Sequence, residues 1–201
     1  MRICRSVLVG LLLAAVAVAA QSHVVAWGGW TPITLASGQQ LKVRSIIIDG
    51  RAKEYSTGEV HQVTEKLWVV RRAFRINNAL PQDGSKRPQW AWQLGGWVTV
   101  SSATGRISEL NLPDFDAHAS QVSWFQDYAA YCGATEDGSV HYMVVFQLGK
   151  RKPVLQKELY GQSCAAPQWE RDPNRVSFEP AGGAKVSFLV HDGSAELQSS
   201  R

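Results

Sequence analysis

Residues 41–50 read Leu-Lys-Val-Arg-Ser-Ile-Ile-Ile-Asp-Gly, an alternating stretch that becomes continuously apolar and ends on Asp49-Gly50. Alternation with period 2 is typical of a β-strand with one buried face, and Asp-Gly is a strong signal for a tight hairpin turn. This segment therefore predicts a strand that enters a β-hairpin.

The same kind of pattern recurs along the chain. Residues 67–76 (LWVVRRAFRI) and 90–101 (WAWQLGGWVTVS) are rich in β-branched and aromatic residues, and Gly95-Gly96 predicts a bulge. Residues 120–131 fit either a helix capped by Ser120 or strand pieces, and we favour strands. Further strands are predicted over 107–112, 128–134, 140–148, 153–159, 175–178 and 185–190. The fold class expected is all-β, with antiparallel hairpins and meanders in a propeller-like or sandwich-like single domain.

The N-terminus has the composition of a signal peptide. Arg2 and Arg5 precede an apolar run over 7–18 that closes on small residues at 17–20. The run is about a dozen residues, short of the roughly 20 that a membrane-spanning helix needs, so cleavage rather than anchoring is expected. We therefore predict a signal helix over 1–20, a single β-rich domain over 21–201, and an exported protein, periplasmic or extracellular, with no transmembrane anchor after cleavage.

Three segments outside the predicted strands have a distinct composition. Residues 77–89 contain two prolines, a glycine and several polar residues, which predicts a long surface loop. The polar residues 193–201 predict a frayed tail. The segment from Pro167 onward is compatible with a separate hairpin docked on the rest.

Residues 97–159 carry a family resemblance. Val122-Ser-Trp124, Asp127, Tyr128-Ala-Ala-Tyr131, Asp137-Gly138 and Tyr142-Met-Val-Val145 follow one another in the order of a β-propeller blade. The segment resembles a blade of WD40-like or TolB-type propellers, although Phe125-Gln126 replace the usual Ser-Pro. Residues 97–110 (WVTVSSATGRISEL) are similar to the strand, Thr-Gly and strand that end a preceding blade. The resemblance implies a local antiparallel meander and no particular chemistry.

Charge and motifs exclude several function classes. The chain has a formal charge of +4, and without Arg2 and Arg5 it has 19 basic and 17 acidic residues. This near balance argues against nucleic acid as a partner. There is no Gly-x-Ser-x-Gly elbow, and residues 180–184, the only glycine pair near the C-terminus, are typical of a turn rather than a phosphate-binding loop. No cofactor is expected.

Two cysteines, Cys132 and Cys164, follow the signal peptide, whereas Cys4 leaves with it. An even count in an exported chain favours one disulfide, with buried free thiols or a reactive thiol as the alternatives.

The strongest candidate for a ligand surface combines tryptophans with nearby basic residues. Lys86-Arg87 precede Trp90, Trp92 and Trp97, and such a group could form an aromatic platform for sugars or for a cationic ligand. Burial in a Trp-rich core is the alternative. Two other basic clusters are present, Arg71-Arg72 with Arg75, and Lys150-Arg151-Lys152 at a predicted hairpin tip, where they could bind anions or keep a loop solvated.

Asp114-Phe-Asp116-Ala-His118 is the best candidate for metal binding. In an extended segment, residues two apart share a face, so two carboxylates and an imidazole would converge. The alternative is a polar loop after Pro113 in which Asp116 and His118 cap a turn.

The functional expectation is therefore a binding or structural accessory module without catalysis of its own. Its expected partner is a glycan, an anionic envelope component or a protein. The alternative is an extracytoplasmic hydrolase that uses Asp114, Asp116 and His118.

Overall fold

A computed structural model describes residues 22–80, 88–159 and 164–198 of the chain. The described residues contain only strands, turns and irregular segments, and the strands form antiparallel sheets, none of them closed into a barrel. The predicted all-β class is confirmed at this level. The predicted signal peptide lies outside the described residues. Within them, no helix has the length and apolar character needed to cross a membrane.

The first sheet is a six-stranded meander whose strands pair in sequence order. Its strands are β1 (Val25–Thr34), β2 (Gln40–Ile48), β3 (Arg51–Thr64), β4 (Leu67–Asn77), β5 (Trp90–Ser101) and β6 (Arg106–Leu110). The hairpin predicted at Asp49-Gly50 joins β2 to β3, with both residues at positive φ as a tight hairpin turn requires.

The first sheet bends strongly at β3. Strand β3 pairs with β2 over Arg51–Ser56. It pairs with β4 at Tyr55 and Ser56 and again from Val60 to Thr64, with a register shift between Ser56 and Val60. Gly58 lies in that shift with a φ of 91°, a conformation that favours glycine. As a result, Ile46 and Ile48 of β2 share one buried cluster with Val70, Val98 and Val100, although β3 separates them in the sheet.

The second and third sheets are four-stranded meanders. The second contains β7 (Ser123–Phe125), β8 (Tyr128–Ala134), β9 (His141–Gln147) and β10 (Leu155–Leu159). The third contains β11 (Gln168–Arg171), β12 (Asn174–Phe178), β13 (Val186–His191) and β14 (Ser194–Gln198). Strand β8 is buried along almost its whole length, because both faces of the second sheet are covered.

Alternation along β8 explains how one sheet supplies two cores. Tyr128 and Ala130 pack with Val176, Phe178 and neighbouring residues of the third sheet. Ala129 and Tyr131, which point to the opposite face, pack with Val69 and Trp97 of the first sheet. The second sheet therefore lies between the other two.

Most predicted strands are present, and the differences have local causes. Residues 123–125 and 128–134 are strands, so the strand interpretation of 120–131 is correct. Strand β1 was not anticipated, because Gly28, Gly29 and Pro32 are poor strand formers; the glycines lie at a register shift, and Pro32 is on an edge strand. The segment after Pro167 is a four-stranded sheet rather than one hairpin. Residues 194–198, inside the predicted frayed tail, form β14 because they pair with β13.

A disulfide joins Cys132 on β8 to Cys164, as predicted, with the two Cα atoms 6.2 Å apart. Cys164 also forms an isolated antiparallel bridge with Pro180, next to β12. The bond therefore ties the second sheet to the segment that leads into the third.

The Asp137-Gly138 turn gives a prediction about pH. Thr135 Oγ1 donates a hydrogen bond to Asp137 at 2.6 Å and Ser139 N donates another at 3.1 Å, and these bonds lower the Asp137 pKa to about 2. A lowered carboxyl pKa stabilises the fold above the ordinary value of 3.8, and the contribution is lost as the pH falls through the folded value. We expect the free energy of unfolding of Asp137→Asn to be lower than that of the wild type at pH 6, with the difference disappearing between about pH 4 and pH 2.

Thermal unfolding of both proteins from pH 6 to pH 2 measures this difference. Glu65→Gln is the matched control, because Glu65 is exposed and accepts no hydrogen bond among the described residues. A difference between Asp137→Asn and wild type that stays constant over this range would contradict the assignment.

Candidate functional site

An exposed group of aromatic rings and one arginine lies where β3, β4 and β5 run side by side. Trp90 and Tyr55 are 56% and 41% exposed, and Trp92 is half-buried. The Arg75 guanidinium lies 5.4 Å from the Trp90 ring centroid and 5.7 Å from that of Trp92. Tyr55 contacts Trp92 edge to face, with 5.0 Å between centroids. We call Tyr55, Arg75, Trp90 and Trp92 the aromatic platform.

Backbone pairing fixes the platform. Asn77 pairs with Trp90 and Arg75 with Trp92, so these side chains lie on one face of the sheet. Next to the end of β4 and the start of β5, Asn78 N donates to Gln89 O at 2.8 Å, and Asn77 Oδ1 accepts hydrogen bonds from the N–H groups of Ala79 and Gln89. These hydrogen bonds fix the start of β5, where Trp90 lies.

The three arginines of β4 have different surroundings. Arg72 makes ion pairs with Glu54 at 3.2 Å and Glu109 at 2.7 Å. Arg71 is buried, its Nη2 donates to Ala117 O, and burial lowers its pKa. Arg75 is exposed and has no carboxylate within 4 Å among the described residues. Among the described residues, Arg75 is therefore the exposed arginine of this cluster that has no carboxylate partner.

Trp97 does not belong to the platform. It is 3% exposed and packs in the core between the first and second sheets, edge to face with Trp124 at 5.2 Å. The sequence grouped Trp97 with Trp90 and Trp92, but the second sheet covers Trp97 and leaves Trp90 open. Trp97 is therefore a core residue, which is the alternative that the sequence offered for these tryptophans.

A second arrangement of arginine and tryptophans lies on β1 and β2. The Arg44 guanidinium is 4.7 Å from the Trp27 ring centroid and 4.9 Å from that of Trp30. Trp30 is 52% exposed, and its ring lies so close to Gly58 that any Cβ at that position would overlap it. Gly58 thus has two roles: it adopts the positive φ at the bend of β3, and it leaves room for the Trp30 ring.

The other predicted basic residues lie elsewhere. Lys86 and Arg87 fall outside the described residues. Lys150, Arg151 and Lys152 are exposed at the β9–β10 turn, where they line a depression that also contacts Gly193 in the β13–β14 turn. This hairpin tip belongs to the second and third sheets, whereas the aromatic platform belongs to the first.

The Asp114–His118 segment forms a turn, and its two carboxylates accept hydrogen bonds from different donors. Asp114 Oδ2 accepts a hydrogen bond from Gln156 Nε2 at 2.6 Å, and Asp116 Oδ1 accepts one from His118 N at 2.7 Å. Across the described residues, no group of three or more His, Cys, Asp or Glu side chains is placed to hold a metal ion. Asp116 therefore caps a turn, which is the alternative to metal binding that the sequence offered.

A cavity of about 480 Å³ lies beside this turn. Asp116, Ser120, Glu136, His141 and the Cys132–Cys164 disulfide contribute to its lining. Ser120 Oγ donates to Cys132 O at 2.7 Å and accepts a hydrogen bond from Asp116 N at 3.1 Å. The hydroxyl thus fastens the loop to β8, and among the described residues no imidazole forms a hydrogen bond with it.

Comparison of the chain with protein-family models, curated proteins and solved structures found no match. The functional interpretation therefore depends on the residues themselves. Sequence reasoning selected Trp90 and Trp92 but missed Tyr55 and Trp30 as their counterparts. Their positions follow from the register of the hairpins in the structure, which places Tyr55 opposite Ala73 and Trp30 opposite Arg44.

Proposed function

We propose that this protein is an exported, non-catalytic module that binds glycans through the aromatic platform. The observation that carries the proposal is the exposure of Trp90 and Tyr55 around an arginine that has no carboxylate partner in the described part of the chain. Large rings left open to solvent on a folded surface mark contact sites, and their faces suit the C–H faces of sugars. The disulfide and the apolar N-terminal run are compatible with export.

The charge of the platform selects among ligand classes. Arg75 already lies near the Trp90 and Trp92 rings, so a cationic ligand would meet a like charge there. A guanidinium close to aromatic rings still presents N–H donors at its edge. The platform therefore favours a sugar with acceptor or anionic groups over a cation.

The hydrolase alternative has weaker support. Asp114, Asp116 and His118 are not grouped, and the hydroxyl of Ser120 is engaged in holding its loop. We also propose that the second and third sheets are propeller-like blades, since each is a four-stranded antiparallel meander and they pack face to face.

Trp90→Ala is the direct test of glycan binding. Truncating an exposed central tryptophan removes a stacking surface, so we expect binding to weaken by about 2 kcal/mol, roughly 30-fold. The measurement is binding of the mature chain to an array of neutral and acidic glycans, followed by calorimetry on those bound.

Leu197→Ala is the matched control, because Leu197 is equally exposed, at 57%, but lies on β14 in the third sheet. It should bind like the wild type. If the wild type binds no glycan, or if Trp90→Ala binds as well as Leu197→Ala, the proposal is wrong.

A further inference from the structure

A cleft of about 570 Å³ lies next to the aromatic platform on the first sheet. The exposed Trp30 ring forms one wall, and Leu41 and Leu94 supply its apolar lining. The polar lining comes from Lys42, Thr57 and Glu59.

The cleft and the platform share one apolar cluster. Leu41, Leu94 and Trp92 all pack against the buried residues Ile33, Leu35, Val43 and Ala73. Leu94 follows Trp92 by two residues on β5, so the two side chains point to the same face. Trp92 of the platform and Leu94 of the cleft are therefore neighbours on one face of the first sheet.

The two sites differ in charge. In the cleft, Lys42 offers donors and Glu59 offers acceptors, and neither makes an ion pair among the described residues. Thr57 Oγ1 donates to Glu59 Oε1 at 3.3 Å. A mixed set of donors and acceptors beside an aromatic ring suits the hydroxyls of a neutral sugar. At the platform, Arg75 is the charged side chain among the described residues, and its fork of donors matches a carboxylate.

We propose that the ligand is an acidic oligosaccharide that spans both sites, with a neutral sugar stacked on Trp30 in the cleft and a carboxylated sugar at Arg75. This inference rests on the proposed glycan binding. It adds the charge of the ligand and a chain length greater than that of a disaccharide. The exposed Trp90 and Trp30 rings provide the stacking surfaces at the two sites.

The test uses the mature chain and defined oligosaccharides in calorimetry. The probes are the disaccharide and the hexasaccharide of alternating glucuronate and N-acetylglucosamine, each with its carboxyl-reduced form. We expect a hexasaccharide to bind at least tenfold more tightly than its carboxyl-reduced form, since hydrogen bonds to charged groups are the strong ones. Arg75→Gln should remove that preference, while retaining the affinity for the reduced form to within about twofold.

Trp30→Ala tests the second site. It should lower hexasaccharide affinity about tenfold or more and leave disaccharide affinity within about twofold. Because Trp30 also contacts Gly58 and Arg44, Lys42→Ala serves as a second variant, at an exposed side chain of the same cleft, with the same expected loss of chain-length preference.

The outcomes separate this inference from glycan binding itself. If acidic and reduced hexasaccharides bind equally, or if disaccharides bind as tightly as hexasaccharides, the inference is overturned while the platform still binds glycans. If no glycan binds the wild type, both proposals fail.

Discussion

Replacing Trp97 with alanine is expected to lower the free energy of unfolding by about 3–5 kcal/mol, the range found for large aromatic residues truncated in a core. Trp97 is 3% exposed and packs with Val69 from its own sheet and with Tyr131, Val144 and Phe146 from the second sheet. The cavity left by truncation would lie in the interface that holds the two sheets together.

Urea unfolding, followed by far-UV circular dichroism, measures the change. Trp90→Ala is the matched control, since it removes the same side chain from the same strand at a 56% exposed position, and it should stay within about 0.5 kcal/mol of the wild type. Trp97→Phe keeps a ring in the core and should fall between the two. If Trp97→Ala unfolds at the same urea concentration as Trp90→Ala, the first sheet is not packed on the second as described.

The different surroundings of these two tryptophans show where sequence reasoning stops. Strict alternation puts Trp97, five residues after Trp92, on the opposite face of β5. The register shift at Gly95-Gly96 inserts one residue into β5, so that Trp97 pairs with Arg71 and Trp92 with Arg75 on the same face. The glycines predicted the bulge, but the burial of Trp97 depends on the second sheet, whose docking no local pattern encodes.

The strands that carry the candidate site were predictable from the sequence, but the surroundings of its side chains were not. Alternation and turn residues located β2, β4, β5, β8 and β9, since each is a strand with an apolar face. The environment of Arg75 was not predictable, because it depends on which tryptophans lie across the hairpin and on where carboxylates from other strands fall. Arg72, three residues earlier, has two such carboxylates.

The second large effect is expected at the disulfide. The double variant Cys132→Ala/Cys164→Ala should unfold with a free energy about 3–4 kcal/mol below that of the wild type, because the bond closes a loop of 32 residues in the unfolded chain. The two cysteines also pack against the core between the second and third sheets, so alanine at both positions removes some contact as well.

Urea unfolding with and without reductant separates the bond from the packing. The wild type in reductant should approach the double variant, whose own midpoint should not change when reductant is added. Equal midpoints for the oxidised and reduced wild type would contradict a stabilising bond between these cysteines.

Hydrogen exchange then shows how far the effect extends. A cross-link that acts through the unfolded chain lowers protection wherever exchange requires global unfolding. If the three sheets unfold as one unit, β4 and β5 should lose as much protection as β8 and β12, although the bond touches neither β4 nor β5. Loss confined to the second and third sheets would mean that the first sheet, with its aromatic platform, keeps its structure independently, and binding of glycans would then survive reduction.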